Sequence, residues 1–89
     1  MRAVVTVIGK DHKGIIASVS GFMASQEINI LDISQTIMEE YFTMIMLVDL
    51  NDTKLEIGQI RSSLKELGTS LRVRISLTHQ DVFDAMHRI

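Results

Sequence analysis

The feature that most constrains the fold of this chain is a hydrophobic pattern that switches repeatedly between a period of two and a period of about 3.6 residues. Four β-branched-rich segments have the shorter period and are predicted as strands, namely residues 3–9, 28–38, 41–50 and 71–77. Three segments have the longer period and are predicted as helices, namely residues 14–25, 54–67 and 79–88. The predicted order is therefore β-α-β-β-α-β, followed by a C-terminal helix.

Short polar motifs mark the ends of the predicted elements. Asp11 precedes the first helical segment and is predicted to be its N-cap. Thr53 and Glu56 have the Thr-x-x-Glu spacing of a capping box, which predicts the start of the second helix. Gly68 stands where a glycine is expected to end that helix. Residues 39–40 form a polar break, so the second and third strands are predicted to form a hairpin.

Two strand–helix–strand halves joined by a hairpin specify the arrangement of the layers. Right-handed crossovers place both helices on one face of a four-stranded antiparallel sheet, which is the ferredoxin-like fold of the α+β class. One side of the third strand carries Phe42, Met44, Met46 and Val48. Ile45 and Leu47 lie on its opposite side, so we expect the C-terminal helix or a second copy of the chain to cover part of that face. The 89 residues are predicted to form one domain, 1–89.

The composition argues against several functional classes. A net charge of −2 and a pI near 5.8 argue against direct binding to nucleic acid or to an anionic membrane. The chain has no cysteine, which excludes thiolate metal sites and a cysteine nucleophile. The longest apolar run, residues 44–48, is too short to span a bilayer. No secretory leader pattern begins the chain, so we expect a cytoplasmic location.

Three chemistries that this topology can support lack their characteristic residues. A metal site is not expected because His12, His79 and His87 do not have close helical ligand spacing, and the sequence predicts no cofactor. An RNA-binding sheet would carry stacking aromatics on its central strands, and the first strand has none. A small phosphatase of this topology would have an arginine in the loop after the first strand, where this chain has Lys10 and Lys13. A phosphate-ester hydrolase is therefore a distant third hypothesis, and we expect that the chain is not an enzyme.

The remaining candidate is the loop from the first strand into the first helix, Gly9-x-Asp11-x-x-Gly14-Ile15. A helix N-terminus exposes unpaired backbone N–H groups with positive dipole character. Gly14 would let the carboxylate of a ligand come close to the backbone. Asn29 begins the next strand and offers both a donor and an acceptor. These features favour a small-molecule site, and the alternative interpretation is a tight turn followed by a strand-entry asparagine.

Four segments carry a resemblance to a known family. They are Val-Ile-Gly-Lys-Asp-His-Lys-Gly-Ile-Ile at 7–16, Asn-Ile-Leu-Asp-Ile-Ser-Gln-Thr at 29–36, Phe-Thr-Met at 42–44 and Phe-Asp-Ala-Met-His-Arg-Ile at 83–89. With these four segments in this order and at this spacing, the chain resembles the ACT domain family over essentially its whole length. Within the family it is similar to the small stand-alone members that look like each half of the glycine cleavage system transcriptional repressor.

The resemblance implies a βαββαβ fold, association through sheets or helices, and an amino acid or related ligand bound at a subunit interface. It implies that Gly14 lies at the ligand site and that Asp11 and Asn29 match polar positions beside it. Together with the loop itself, the predicted ligand-binding residues are Asp11, His12, Lys13, Gly14, Ile15 and Asn29. Many members have Arg-Pro where this chain has His12-Lys13, so the identity of the ligand is not carried over. We therefore expect a homodimeric regulatory domain that binds a small molecule such as an amino acid and acts on a separate effector protein. The alternative is a structural protein-interaction module with no ligand.

Overall fold

The secondary structure follows the predicted order in the computed structural model, which describes residues 1–86. The strands are β1 (Arg2–Lys10), β2 (Asn29–Met38), β3 (Tyr41–Asp49) and β4 (Val73–His79). The helices are α1 (Ile15–Ser25), α2 (Ile57–Leu71) and α3 (Gln80–Met86). The last part of the predicted C-terminal helix, with His87 and Ile89, lies outside the described residues. None of the helices within residues 1–86 is long and apolar enough to cross a membrane.

The four strands form one antiparallel sheet in the order β2-β3-β1-β4. Val5 on β1 pairs with Met46 on β3 and with Leu77 on β4, so β1 and β3 are the central strands. β2 pairs with β3 in a register that contains a bulge between Ile30 and Asp32. The two edges of the sheet are therefore β2 and β4, and the predicted ferredoxin-like α+β fold is confirmed.

The core lies between one face of the sheet and the helices α1 and α2. The predicted apolar side of β3 is at most 3% exposed, and it comprises Phe42, Met44, Met46 and Val48. The helices bury against it the side chains of Ile15, Val19, Met23, Ile60 and Leu64. Each such side chain contributes roughly 1.5–3 kcal/mol when it leaves water, so this two-layer contact is the main source of stability.

The opposite face of the sheet is covered only at one end. Val4 alternates with the core residues Ala3 and Val5 and therefore lies on this open face, where it is 4% exposed. Its burial is explained by α3, which contacts both β1 and β4. Farther along the same face, Ile8 and Ile45 remain 48% and 37% exposed. The C-terminal helix thus covers part of the open face, as expected, and leaves the rest apolar.

The start of α1 differs from the prediction. Its N-cap is Gly14, with a φ of +93°, and not Asp11. This left-handed conformation is one that glycine adopts without the penalty that a Cβ would impose. Asp11 cannot reach the helix start because β1 continues to Lys10 and the backbone N–H of Asp11 donates to the carbonyl oxygen of Glu40 at 2.8 Å. This bond holds the residues after β1 beside the β2–β3 turn.

The start of α2 also lies later in the chain than predicted. A capping box does form, but its members are Glu56 and Gln59. The side-chain oxygen of Gln59 accepts from the N–H of Glu56 at 2.8 Å. The hydroxyl of Thr53 accepts instead from the N–H of Leu55 at 3.3 Å, which closes a local turn before the helix. The predicted pairing of Thr53 with Glu56 was therefore wrong by one turn.

The end of α2 corrects the assignment of Gly68 as a helix stop. Gly68 is buried within the helix, which continues to Leu71 and is followed by Arg72 in the left-handed region with a φ of 60°. A Cβ at Gly68 would lie 2.7 Å from the carbonyl oxygen of Val73, so glycine is required here for close packing against β4. Because Arg72 forms the C-cap, β4 begins at Val73 and not at residue 71.

Candidate functional site

Residues 11–14, which we term the first loop, connect β1 to α1 and are held from two sides. One attachment is the hydrogen bond from Asp11 to the β2–β3 turn described above. The other is His12, whose Nε2 lies 2.5 Å from the carbonyl oxygen of Leu71 at the end of α2. Its Nδ1 lies 3.0 Å from the carbonyl oxygen of Lys13. Each ring nitrogen therefore lies within hydrogen-bond distance of a backbone carbonyl oxygen.

The N-terminus of α1 opens onto the first loop. The first intrahelical hydrogen bond runs from the N–H of Ser18 to the carbonyl oxygen of Gly14 at 2.9 Å, so the N–H groups of residues 15–17 have no acceptor within the helix. No side chain in the described part of the chain caps this end. Nothing lies within 4 Å of the position of a Cβ at Gly14, so the space beside it is open. Backbone donors and the positive end of the helix dipole are thus available to an anionic group.

The charged side chains of the first loop add groups of both signs. Asp11 and Lys13 are exposed on either side of His12. Because Gly14 is the N-cap, the carboxylate of Asp11 is not committed to capping and can pair with a ligand ammonium group. The loop can therefore accept a zwitterion, with its carboxylate on the helix N-terminus and its ammonium group on Asp11.

Two separate clefts contain the predicted site residues. Asp11 and His12 line a cleft of about 490 Å³ together with residues 70–72, which connect α2 to β4. Asn29 lines a different cleft of about 480 Å³, which it shares with residues at the end of α1 and with Asp52. The structure therefore brings Asp11 and His12 into one cleft and does not bring Asn29 to them within one chain. Lys13, Gly14 and Ile15 follow in the chain but line neither cleft.

The distance between the two parts of the predicted site follows from the strand register. Asn29 pairs with Asp49, which pairs with Arg2 at the start of β1. The first loop follows Lys10 at the other end of β1. Eight residue steps along a strand cover roughly 26 Å, so a ligand of amino-acid size cannot touch both parts in the same chain.

The sequence analysis missed the contribution of the α2–β4 connection. Ser70 and Arg72 line the cleft beside the first loop, and the carbonyl oxygen of Leu71 lies within hydrogen-bond distance of His12 Nε2. No signal in the sequence marks these residues, because they reach the loop only when α2 continues past Gly68. The approach of the β2–β3 turn, through Glu40, was likewise not predictable from a local pattern.

Comparison with known proteins identifies the family to which this fold and loop belong. The family model of the ACT domain matches residues 2–78. The chain belongs to the ACT domain family. This confirms the resemblance found in the sequence, and it gives the chain the fold of a regulatory ligand-binding domain.

The relatives of this ACT domain include proteins of the same length. A UPF0237 protein of Clostridium acetobutylicum is 51% identical over 89 residues, which is 100% of both chains. The solved structure of an ACT domain protein from Streptococcus pneumoniae shares 42% identity over 98% of each chain, with a TM-score of 0.83. A structure described as a glycine cleavage system transcriptional repressor covers 86% of this chain and 44% of its own at 23% identity, with a TM-score of 0.76, and shows the fold alone.

Proposed function

We propose that this ACT domain is a cytoplasmic regulatory module that binds an amino acid or a related small molecule and acts as a homodimer on a separate effector protein. The observation that carries the proposal is the uncapped N-terminus of α1, which opens at Gly14, three residues after the exposed carboxylate of Asp11. This arrangement offers binding groups for a carboxylate and an ammonium group. In this proposal the domain binds its ligand without converting it.

The residues of the first loop have distinct roles in this proposal. The N–H groups at the start of α1, including that of Ile15, receive the ligand carboxylate, and the absence of a side chain at Gly14 allows the close approach. Asp11 pairs with the ligand ammonium group, and Lys13 adds positive charge near the carboxylate. His12 fixes the position of the loop through the carbonyl oxygen of Leu71.

The homodimer is proposed to form along β2, because this edge of the sheet is unprotected. β2 contains ten residues and one charge, that of Asp32. Ile33 and Ile37 pair with core-facing residues of β3 but remain 43% and 58% exposed. A long free edge with a single charge and exposed isoleucines is a template for pairing with another strand. Antiparallel pairing of two β2 edges would satisfy the free backbone groups and cover the exposed isoleucines.

Such a dimer would complete the site with residues from both copies. In an antiparallel β2–β2 pair, Asn29 of the second copy lies beside the C-terminal end of the first copy's β2. That end leads into the β2–β3 turn, which the bond from Asp11 to Glu40 joins to the first loop. The ligand is therefore proposed to lie between the first loop of one copy and Asn29 of the other, which resolves the separation of the two within one chain.

A thermal-shift screen against amino acids and related metabolites tests ligand binding. A ligand at a hundredfold excess over its Kd stabilises a folded domain by about 2.7 kcal/mol, which corresponds to a rise in Tm of about 10–20 °C for a chain of this size. Turnover of the ligand is measured in parallel. If no compound raises the Tm of the dimer, the chain is the structural interaction module that the sequence left open.

Two variants test the division of the site between copies. Gly14→Asn adds a side chain in a residue type that tolerates the left-handed conformation, and Asn29→Ala removes the polar side chain at the start of β2. Each variant alone is expected to lose calorimetric binding of the compound found in the screen. When equal amounts are mixed and allowed to exchange subunits, about a quarter of the sites should recover, because each mixed dimer contains one intact site. Mixed dimers that stay inactive would show that the site is not shared in this way.

A further inference from the structure

We infer that a groove between α2 and β4 binds an extended acidic segment of a partner protein. This groove, which we term the basic groove, has a volume of about 420 Å³ and is lined by the cations Arg61, Lys65 and Arg74. Its apolar floor is the half-buried Val73 beside the buried Ile75 and Leu77, and Arg74, which alternates with them, lies across the edge of the strand. None of the described residues that line it is acidic. The inference rests on the proposed function in one respect, since a regulatory module that acts on a separate effector protein needs a surface that recognises that protein.

The positive charge of the chain is concentrated around this groove. Residues 57–79 contain four cations and one carboxylate, that of Glu66, which gives this segment a net charge of +3. Residues 1–56 also contain four cations but have eight carboxylates, which gives them a net charge of −4. The whole chain has a net charge of −2, so the basic groove is a local positive field on an acidic protein. Such a field attracts and orients an acidic partner.

The dimensions of the basic groove fit an extended segment of chain. Arg61, Lys65 and Thr69 follow one another at intervals of four residues, so they form one row along α2. At 1.5 Å per residue this row is about 12 Å long, which matches about four residues of an extended peptide. A segment in which acidic and apolar side chains alternate would place carboxylates against the cations and apolar groups on the floor of the groove.

Side chains are proposed to carry the recognition, because part of the β4 edge within the groove is already contacted by α2. The Nε and Nη2 groups of Arg61 donate to the carbonyl oxygen of Leu77 at 3.3 and 3.1 Å. At the other end, the backbone of Gly68 packs against the carbonyl of Val73. Two copies of the groove would also repel each other because both are positive. These features favour an occupant of opposite charge over a second copy of this chain.

An acidic protein segment also fits better than a nucleic acid. Among the described residues that line the basic groove, none is aromatic, so no platform for base stacking is present. The acidic remainder of the chain would repel a long polyanion that extends beyond the groove. A short segment with separate carboxylates and apolar side chains avoids that repulsion and uses the floor as well as the cations.

The test is a titration of the ¹⁵N-labelled full chain with a blocked hexapeptide in which Glu and Val alternate. We expect backbone amide shifts that cluster at residues 61–69 and 73–77. The affinity should fall severalfold between about 0.05 and 0.5 M NaCl, because exposed charge pairs are screened over this range. The same peptide with Lys in place of Glu should not bind. Shifts that map elsewhere, equal binding of the Lys peptide, or tighter binding of a single-stranded oligonucleotide would overturn the inference.

Charge reversal within and outside the basic groove gives the matched comparison. Lys65→Glu and Arg74→Glu should each weaken binding of the acidic peptide by about threefold or more. Lys54→Glu changes the net charge equally at an exposed position that does not line the groove, and should leave the affinity within a factor of about two. If Lys54→Glu weakens binding as much as the other two, the effect is general and no groove site exists.

The peptide titration and the ligand screen fail independently. If the peptide binds at the basic groove and no metabolite stabilises the chain, the docking surface is supported and the sensing function is rejected. If a metabolite stabilises the chain and the peptide does not bind at the groove, the sensing function is supported and the docking surface is rejected.

Discussion

The change in stability on replacing Gly14 tests the left-handed backbone conformation on which the candidate site depends. Its φ of +93° lies in the left-handed region, where an L side chain costs about 1–2 kcal/mol. A Cβ there meets nothing within 4 Å, so no steric clash adds to this cost. Because alanine has less conformational freedom than glycine in the unfolded chain, the substitution also stabilises the folded state by about 0.4–1 kcal/mol. Gly14→Ala should therefore destabilise the protein by about 1 kcal/mol, which lowers the Tm by about 4–8 °C.

The assay is urea unfolding followed by circular dichroism at a fixed protein concentration, because association would make stability depend on concentration. Gly21→Ala is the matched control, since Gly21 lies inside α1, has open space around its Cβ position and does not have a positive φ. This change should stabilise the protein by about 0.5–1 kcal/mol through helix propensity. If Gly14→Ala also stabilises the protein, the loop does not have the left-handed conformation and the open helix end is refuted.

Three further predictions concern packing, loop attachment and association. Gly68→Ala should destabilise the protein by about 1–2 kcal/mol in urea unfolding because its Cβ would lie 2.7 Å from a β4 carbonyl oxygen, whereas Gly58→Ala, in open space on the same helix, should be neutral or stabilising. His12→Ala should lower stability by about 1 kcal/mol and increase hydrogen exchange in the first loop, because it removes the contact with the end of α2. Ile37→Lys should shift the proposed dimer to a folded 10.0 kDa monomer in sedimentation equilibrium, whereas Val82→Lys, at a similarly exposed position on α3, should leave the proposed dimer intact.

The layers of this fold were predictable from the sequence because the hydrophobic pattern that indicates them is spread over many residues. Four residues on one side of β3 carry the pattern together, so a single exception would not change the period. Helix ends depend instead on single residues. Asp11 has the preferred chemistry of an N-cap, but the extension of β1 and its bond to Glu40 hold it away from the helix. Gly68 has the typical residue type of a helix stop, yet its role is packing against β4.

The candidate site was predictable as a set of residues but not as an arrangement in space. The glycine and the polar residues of the first loop are neighbours in sequence, so their proximity needed no structure. Asn29 is different because the connection through α1 makes β1 and β2 run in the same direction. The start of β2 therefore lies at the opposite end of the sheet from the loop that follows β1. The topology already contained this separation, although residue spacing alone did not reveal it.

The two proposed surfaces are connected through α2. The ring of His12 contacts the carbonyl oxygen of Leu71 at the end of this helix, and Arg61 and Lys65 on the same helix line the basic groove. A ligand that displaces His12 therefore acts on the element that holds the groove's cations. Because such coupling is reciprocal, an acidic segment bound in the groove must change the affinity of the first loop for its ligand by the same factor. The proposed coupling therefore needs only the one helix that contacts both surfaces.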